Sequence, residues 1–247
     1  MAATLRATLK RARVMKSIVQ RIVMSSLVWI PMVAAEPDWQ RVIDDPEQRI
    51  QVYVRDVPGS DLQAFRGTTR VQSRLTAAIA LLEDHTVAPQ WMHNCKAIDI
   101  VERVSDTHTI SYMINDAPWP VTDRDVVVES QLSQADDGTL TLSVRHREGV
   151  FPANDDMVRI AAMEGFWRFT PEDDGWLAVE YQVHAEPGGG LPSWLANSVV
   201  QDTPYYTLQA FKQWVAKPDY QTAQRDYVRE PAALAAVGDV TPATAQQ

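Results

Sequence analysis

From Ile98 to His184 the chain keeps a period of two through six consecutive segments, and this pattern restricts the possible folds more than any other feature. The segments cover 98–104, 107–114, 125–134, 139–147, 157–169 and 176–184, the alternation expected of half-buried strands. Ser105-Asp106, Asp136-Asp137-Gly138 and Pro171-Glu172-Asp173-Asp174-Gly175 separate several of them, and these residue types favour tight reversals. Connections this short join antiparallel neighbours, so a meandering sheet is expected. The doubled acids are turn chemistry, since they do not fall in a twelve-residue calcium loop closed by a bidentate Glu.

Upstream, residues 50–57 alternate and meet Pro58-Gly59, a strand ending in a turn, with 62–71 as its hairpin partner. Leu75, Ala78, Ile79 and Leu82 then recur at spacings of three and four, which predicts an amphipathic helix from Ser73 to Asp84 capped by Ser73. A shorter helix is expected over 88–94. Glu186-Pro187-Gly188-Gly189-Gly190-Leu191-Pro192 closes the strand region, and a long helix over 193–215 follows. Leu195, Val199, Tyr206 and Ala210 approximate one apolar stripe on it, and Trp194, Tyr205, Leu208 and Phe211 a second, while Pro204 is expected to kink or break it near Thr203. Beyond Arg229 little can be buried, and a flexible tail is expected. This order reads as a single α+β domain in which the last helix alone is long enough to cover the concave face of a twisted sheet.

Residues 22–35 (IVMSSLVWIPMVAA) form an apolar run of 14 residues, preceded by six bases and ending in Val33-Ala34-Ala35. This is the layout of a secretory signal with cleavage after Ala35, and Met15 offers a second start for it. The run is shorter than the ~20 apolar residues a bilayer span needs. The organisation expected is a signal peptide over 1–35, a domain over 36–217 and a largely flexible extension over 218–247, in a periplasmic or secreted protein. Outside the signal the chain carries 17 bases and 32 acids, a net charge of −15. Nucleic-acid binding needs clustered cations, so a body this acidic argues against it, and against firm anchoring to anionic lipid. The single cysteine, Cys95, rules out an intramolecular disulfide and reads as a packed thiol.

Two stretches are more specific. Pro118-Trp119-Pro120-Val121-Thr122-Asp123-Arg124-Asp125-Val126-Val127 resembles the P-W-P-hydrophobic-x-x-R-D segment of START lipid-transfer domains. His184-Ala185-Glu186-Pro187-Gly188-Gly189-Gly190-Leu191-Pro192 resembles the connection into their C-terminal helix, with Glu186 where an Asp is usual. Trp91 and Lys96 also stand where that family carries an aromatic and a base. The resemblance covers about residues 40 to 215 and is to a bacterial-type START protein with a signal peptide. It implies a helix-grip fold, a curved antiparallel sheet around a long C-terminal helix, with a tunnel for one lipid. Its sterol-binding members carry an inward acid and an inward Arg at the positions of Ser111 and Ser130, so two hydroxyls here put a sterol in doubt and favour an acyl chain, a phospholipid or another polycycle.

Arg124, between two carboxylates, is expected to pin its loop to a neighbouring strand. With Asp125 held by the motif, Val126, Val128 and Ser130 face the tunnel, as do Ser111, Met113, Ala161, Met163 and Trp167 on neighbouring strands. Leu195, Val199 and Tyr206 of the last helix close it. Hiding a sixteen-carbon chain from water is worth on the order of 12 kcal/mol at ~0.8 kcal/mol per methylene, so carriage needs no catalysis, metal or cofactor. The expected partner is a lipid or similar hydrophobic molecule held by a monomer, with transient membrane contact. Two alternatives stand beside this. One is a cyclase- or hydrolase-like helix-grip enzyme using His184, oriented by Glu180 or Glu186, although no H-E-x-x-H or G-x-S-x-G occurs. The other is a ligand-free interaction scaffold anchored by some of the eight Trp.

Overall fold

The computed structural model describes residues 38–152, 154–190 and 193–235, and ten strands within them make one sheet. The expected signal over 1–35 and the end of the tail lie outside the described residues. In chain order the strands are β1 (Gln40–Asp45), β2 (Ile50–Arg55), β3 (Ala64–Gln72), β4 (Cys95–Ser105), β5 (His108–Asn115), β6 (Arg124–Gln134), β7 (Leu140–His146), β8 (Val158–Arg159), β9 (Ala162–Pro171) and β10 (Trp176–Glu186). Nine of them pair in the order β1-β2-β3-β10-β9-β7-β6-β5-β4, antiparallel throughout, with β8 beside β6, so the expected meander is present and β3 joins its far end. Helices α1 (Leu75–Glu83) and α2 (Ala88–Trp91) bridge β3 and β4, and α3 (Ser193–Val215) follows β10.

The alternation works as a facing code. On β6, Val126 and Val128 join a buried cluster with Met113 and Ile160, whereas Val127 packs on the opposite face with Ile110 and Tyr112. On β10, Leu177, Val179, Tyr181 and Val183 all face the main core. That core occupies part of the concave side with Phe169, Phe211, Trp91 and Trp167, whose neighbouring rings lie 5.4 to 6.1 Å apart. Helix α3 packs mainly on β2 and β3. Gly67 permits this, because a Cβ there would lie 2.7 Å from Leu208 Cδ1 and 3.0 Å from Pro204 Cβ.

Several local expectations change. The segment 157–169 is not one strand: β8 pairs parallel with the start of β6, and β9 begins after a bend at Ala161. Its anchor is Asp125, fully buried, which accepts bonds from Arg159 Nε (2.9 Å), Arg159 Nη2 (2.8 Å) and Tyr112 Oη (2.9 Å). Strand β1 has no buried residue, and so little alternation to read. Pro204 lies inside α3, which continues through it, in place of the expected break; the proline ring is seated against Gly67.

Ser73 does not cap α1. The cap comes from Glu230, whose carboxylate accepts from Leu75 N–H at 2.7 Å, Thr76 N–H at 3.0 Å and Thr76 Oγ1 at 2.8 Å. This corrects the expected tail, because residues 218–235 are packed. They carry α4 (Pro218–Gln221) and α5 (Ala232–Ala235), with Tyr220 and Val228 buried and Leu234 fully so. Glu230 stands 155 residues from Leu75 in the chain, so no local spacing announces the cap.

Glu230→Ala should cost about 1–2 kcal/mol, the range for a lost helix cap, read as a lower urea midpoint; an unchanged midpoint would remove Glu230 from this role. Acid should also weaken the fold. Bonding to Arg159 holds the Asp125 carboxyl below its ordinary value. Its contribution is therefore complete above about pH 4 and is lost as pH falls through the lower folded value. Asp125→Asn should destabilise by about 3 kcal/mol at pH 7 and flatten the acid limb of a melting-temperature profile.

Candidate functional site

Two chambers lie between the sheet and the helices. The inner one, about 120 Å³, is walled by β4–β7, β9, β10, the β4–β5 turn at Asp106 and Thr107, and the end of α1 through Ile79, Leu82 and Glu83, with His85 just after it. The outer one, about 150 Å³, is roofed by Leu195, Val199, Val200 and Thr203 of α3 and floored by β5, β6 and β10. Met92, Met113, Met163, Tyr181 and Val183 belong to both walls, so the chambers adjoin there. An apolar cavity of about 150 Å³ holds a six-carbon ring, so two hold a tail of about a dozen carbons with side chains where they stand. A sixteen-carbon tail needs some to move. The expected roof is also revised, because α3 covers the outer chamber alone and α1 borders the inner one.

The residues singled out in the sequence distribute unequally over this space. Ser111, Met113, Val128, Ser130, Met163 and Trp167 line the inner chamber, and Met113 and Met163 reach the outer one with Leu195 and Val199. Trp167 is stacked on Tyr181 at 4.2 Å, so one wall is a rigid aromatic pair. Val126 is fully buried on the same face but packs in the core and lines neither chamber. Ala161 is exposed in the bend before β9. Tyr206 is 47% exposed and meets His93 at 5.1 Å. Eleven residues at 100° each put Tyr206 within about 20° of the azimuth of Leu195, but three turns further along, past the chamber. Azimuth alone does not say what lies beneath.

Ser111 and Ser130 both reach the inner wall, joined by Thr109, so hydroxyls stand where the resemblance placed a charged pair. Arg124 departs from its expected role. The loop before β6 is pinned by Asp123, which accepts from Lys96 Nζ at 2.7 Å and Ala117 N–H at 3.0 Å, and Asp125 is taken by Arg159. Arg124 turns inward, is 6% exposed, lines the outer chamber and donates through Nη1 to the Thr122 carbonyl at 2.5 Å. The sequence carried this signal, because Arg124 has the parity of Val126, Val128 and Ser130. Met92, Leu132, Leu142, Val144, Tyr181 and Val183 were missed as wall residues, although all but Met92 sit at inward positions of their strands.

The reactive candidates have other surroundings. His184 lies on the opposite face of β10 from Tyr181 and Val183, with Nε2 at 3.1 Å from Glu186 Oε1. Burial pushes the Cys95 thiol up to about 11, which keeps it protonated at neutral pH. Among the described residues no group of three or more His, Cys, Asp or Glu could hold a metal ion, and no helix is long and apolar enough to cross a membrane.

Comparison with known proteins agrees with this architecture. The START domain family model matches residues 31–224. An uncharacterized protein of Pseudomonas aeruginosa, PA1579, is 34% identical over 200 residues, covering 80% of this chain and 97% of that protein. The crystal structure of a STAR-related lipid transfer protein fragment from Xanthomonas axonopodis is 37% identical, with a TM-score of 0.66 over 72% of this chain and 99% of that one. Human StAR-related lipid transfer protein 5, at 16% identity, shares the fold with a TM-score of 0.64 over 85% of this chain and 96% of its own. With its sheet curved around a long C-terminal helix and hollow on the concave side, the chain belongs to the START domain family and has the helix-grip fold.

Proposed function

We propose that this protein is a non-catalytic carrier of one hydrophobic molecule, held with its tail in the inner chamber and its other end in the outer one. The observation that carries the reading is the pair of adjoining chambers with largely apolar walls of strand side chains, in a member of a lipid-binding family. Burying a dozen methylenes is worth on the order of 10 kcal/mol at ~0.8 kcal/mol each, ample for a stable complex. The site residues are Ser111, Met113, Val128, Ser130, Met163 and Trp167 in the inner chamber and Leu195 and Val199 in the roof. His184 faces away from both chambers, which favours carriage over turnover. Measurable turnover lost in His184→Ala would reverse that preference.

Loading requires the roof to lift. Gly188 and Gly189 have φ of 65° and 61°, a region glycine enters without strain, and they stand just before α3. The first turns of α3 are thus the lid in this proposal. Trp119, 92% exposed on the loop whose Ala117 lines the outer chamber, provides an aromatic handle for transient contact with a membrane surface. The segment 1–35 directs the monomer to the periplasm or the exterior.

Organic extraction of the purified protein followed by mass spectrometry should release a stoichiometric hydrophobic passenger. Val128→Trp should block the inner chamber and lower its occupancy at least tenfold, while overpacking costs about 1–3 kcal/mol; unchanged uptake would refute the facing of β6. The exported product should begin at Glu36 by intact mass, and recovery of full-length chain from the cytoplasm would refute the address.

A further inference from the structure

A cation sits in the wall of a greasy chamber without an acid of its own. Arg124 is at least nine-tenths buried, and its inward direction follows from the pleat of β6. Among the described residues its Nε has no hydrogen-bond partner, and Nη1 reaches only the Thr122 carbonyl. The flanking carboxylates are committed elsewhere, Asp123 to Lys96 and Ala117 and Asp125 to Arg159 and Tyr112. The field of Asp123 does reach the guanidinium, but burial outweighs it. Asp116 also lines this chamber, at an exposed position. A guanidinium out of water with an unsatisfied donor is costly unless something meets it. Its planar donors match a carboxylate or a phosphate.

Resting on the carrier reading above, we propose that the outer chamber is an anionic headgroup site in which Arg124 binds the carboxylate or phosphate of a single-tailed lipid. The geometry orders such a ligand head outward and tail inward. Leu195 and Val199 cover the head, and the tail passes the methionines toward Val128 and Trp167. The inner hydroxyls of Ser111 and Ser130 then lie near the far end of the tail, where they offer no charge to an anionic head. Asn94 and Asn115, on the same outer wall, add neutral donors beside the guanidinium.

Three probes with one tail separate the heads: dodecanoate, dodecyl phosphate and dodecanol, titrated against the delipidated full-length protein by tryptophan fluorescence. At least one anionic probe should bind about tenfold or more tightly than dodecanol, in keeping with a charge-assisted bond. The tighter of the two identifies carboxylate or phosphate as the natural head. Arg124→Gln should erase that preference while keeping dodecanol affinity within about twofold, and Arg124→Lys should keep part of it. Circular dichroism and the dodecanol arm report whether each variant folds, and the wild-type comparison stands without any variant. Equal binding of all three probes by the wild type, or an undiminished preference in folded Arg124→Gln, would overturn the headgroup site and leave the carrier reading intact. Failure of all three to bind would overturn both.

Discussion

Helix α3 lies close to the sheet because β3 has no side chain at residue 67, where Leu208 and Pro204 fill the space a Cβ would claim. That contact fixes the helix over β2 and β3. From it follow the burial of Phe211 and Val215 over the aromatic floor and the overhang of Leu195 and Val199 across the outer chamber. A twisted antiparallel sheet with one apolar face needs a cover, and a single helix covers only part of ten strands. The hollow lies under residues 195–203 of that helix and continues beyond it toward α1. Helix α1, held at its start by Glu230, borders the other end through Ile79 and Leu82, so the cavity is bounded by two helices fixed by different parts of the chain.

What the sequence made legible is what obeys a period. Six alternating segments gave the meander, and the parity of β6 correctly separated Val128 and Ser130 from Val127 and Glu129. What it hid depends on partners far apart in the chain. Glu230 and α1 have no common pattern, and β8 is two residues long, too short for alternation to show. Arg124 was misassigned because its neighbours in sequence are acids. Adjacent residues on a strand point to opposite faces, so Arg124 turns inward while Asp125 faces out to Arg159, and the expected tie to a neighbouring strand is made by the acid instead. Tyr206 failed for a similar reason, since a helical stripe gives direction but not what faces it.

The same pleat sorts the charge of β6. On the outer face Glu129 is bound by His108 at 2.8 Å and Arg145 at 3.0 Å, and Asp125 by Arg159, so each acid there has a base. On the inner face the sequence from Arg124 to Ser130 runs from a cation through two valines to a hydroxyl. A chain with a large surplus of acid therefore carries a buried cation on the inner face of β6, in the wall of the outer chamber.

Where the two chambers adjoin, three of the five common residues are Met92, Met113 and Met163. Unbranched thioethers turn about three bonds at little cost and have no preferred shape to impose. In the proposed carrier a boundary made of them would work as a soft gasket: straight, bent or unsaturated tails would press it aside about equally well. In the proposed carrier, discrimination among tails by outline would be correspondingly poor, and oxidation of these sulfurs would stiffen and wet the boundary between the chambers.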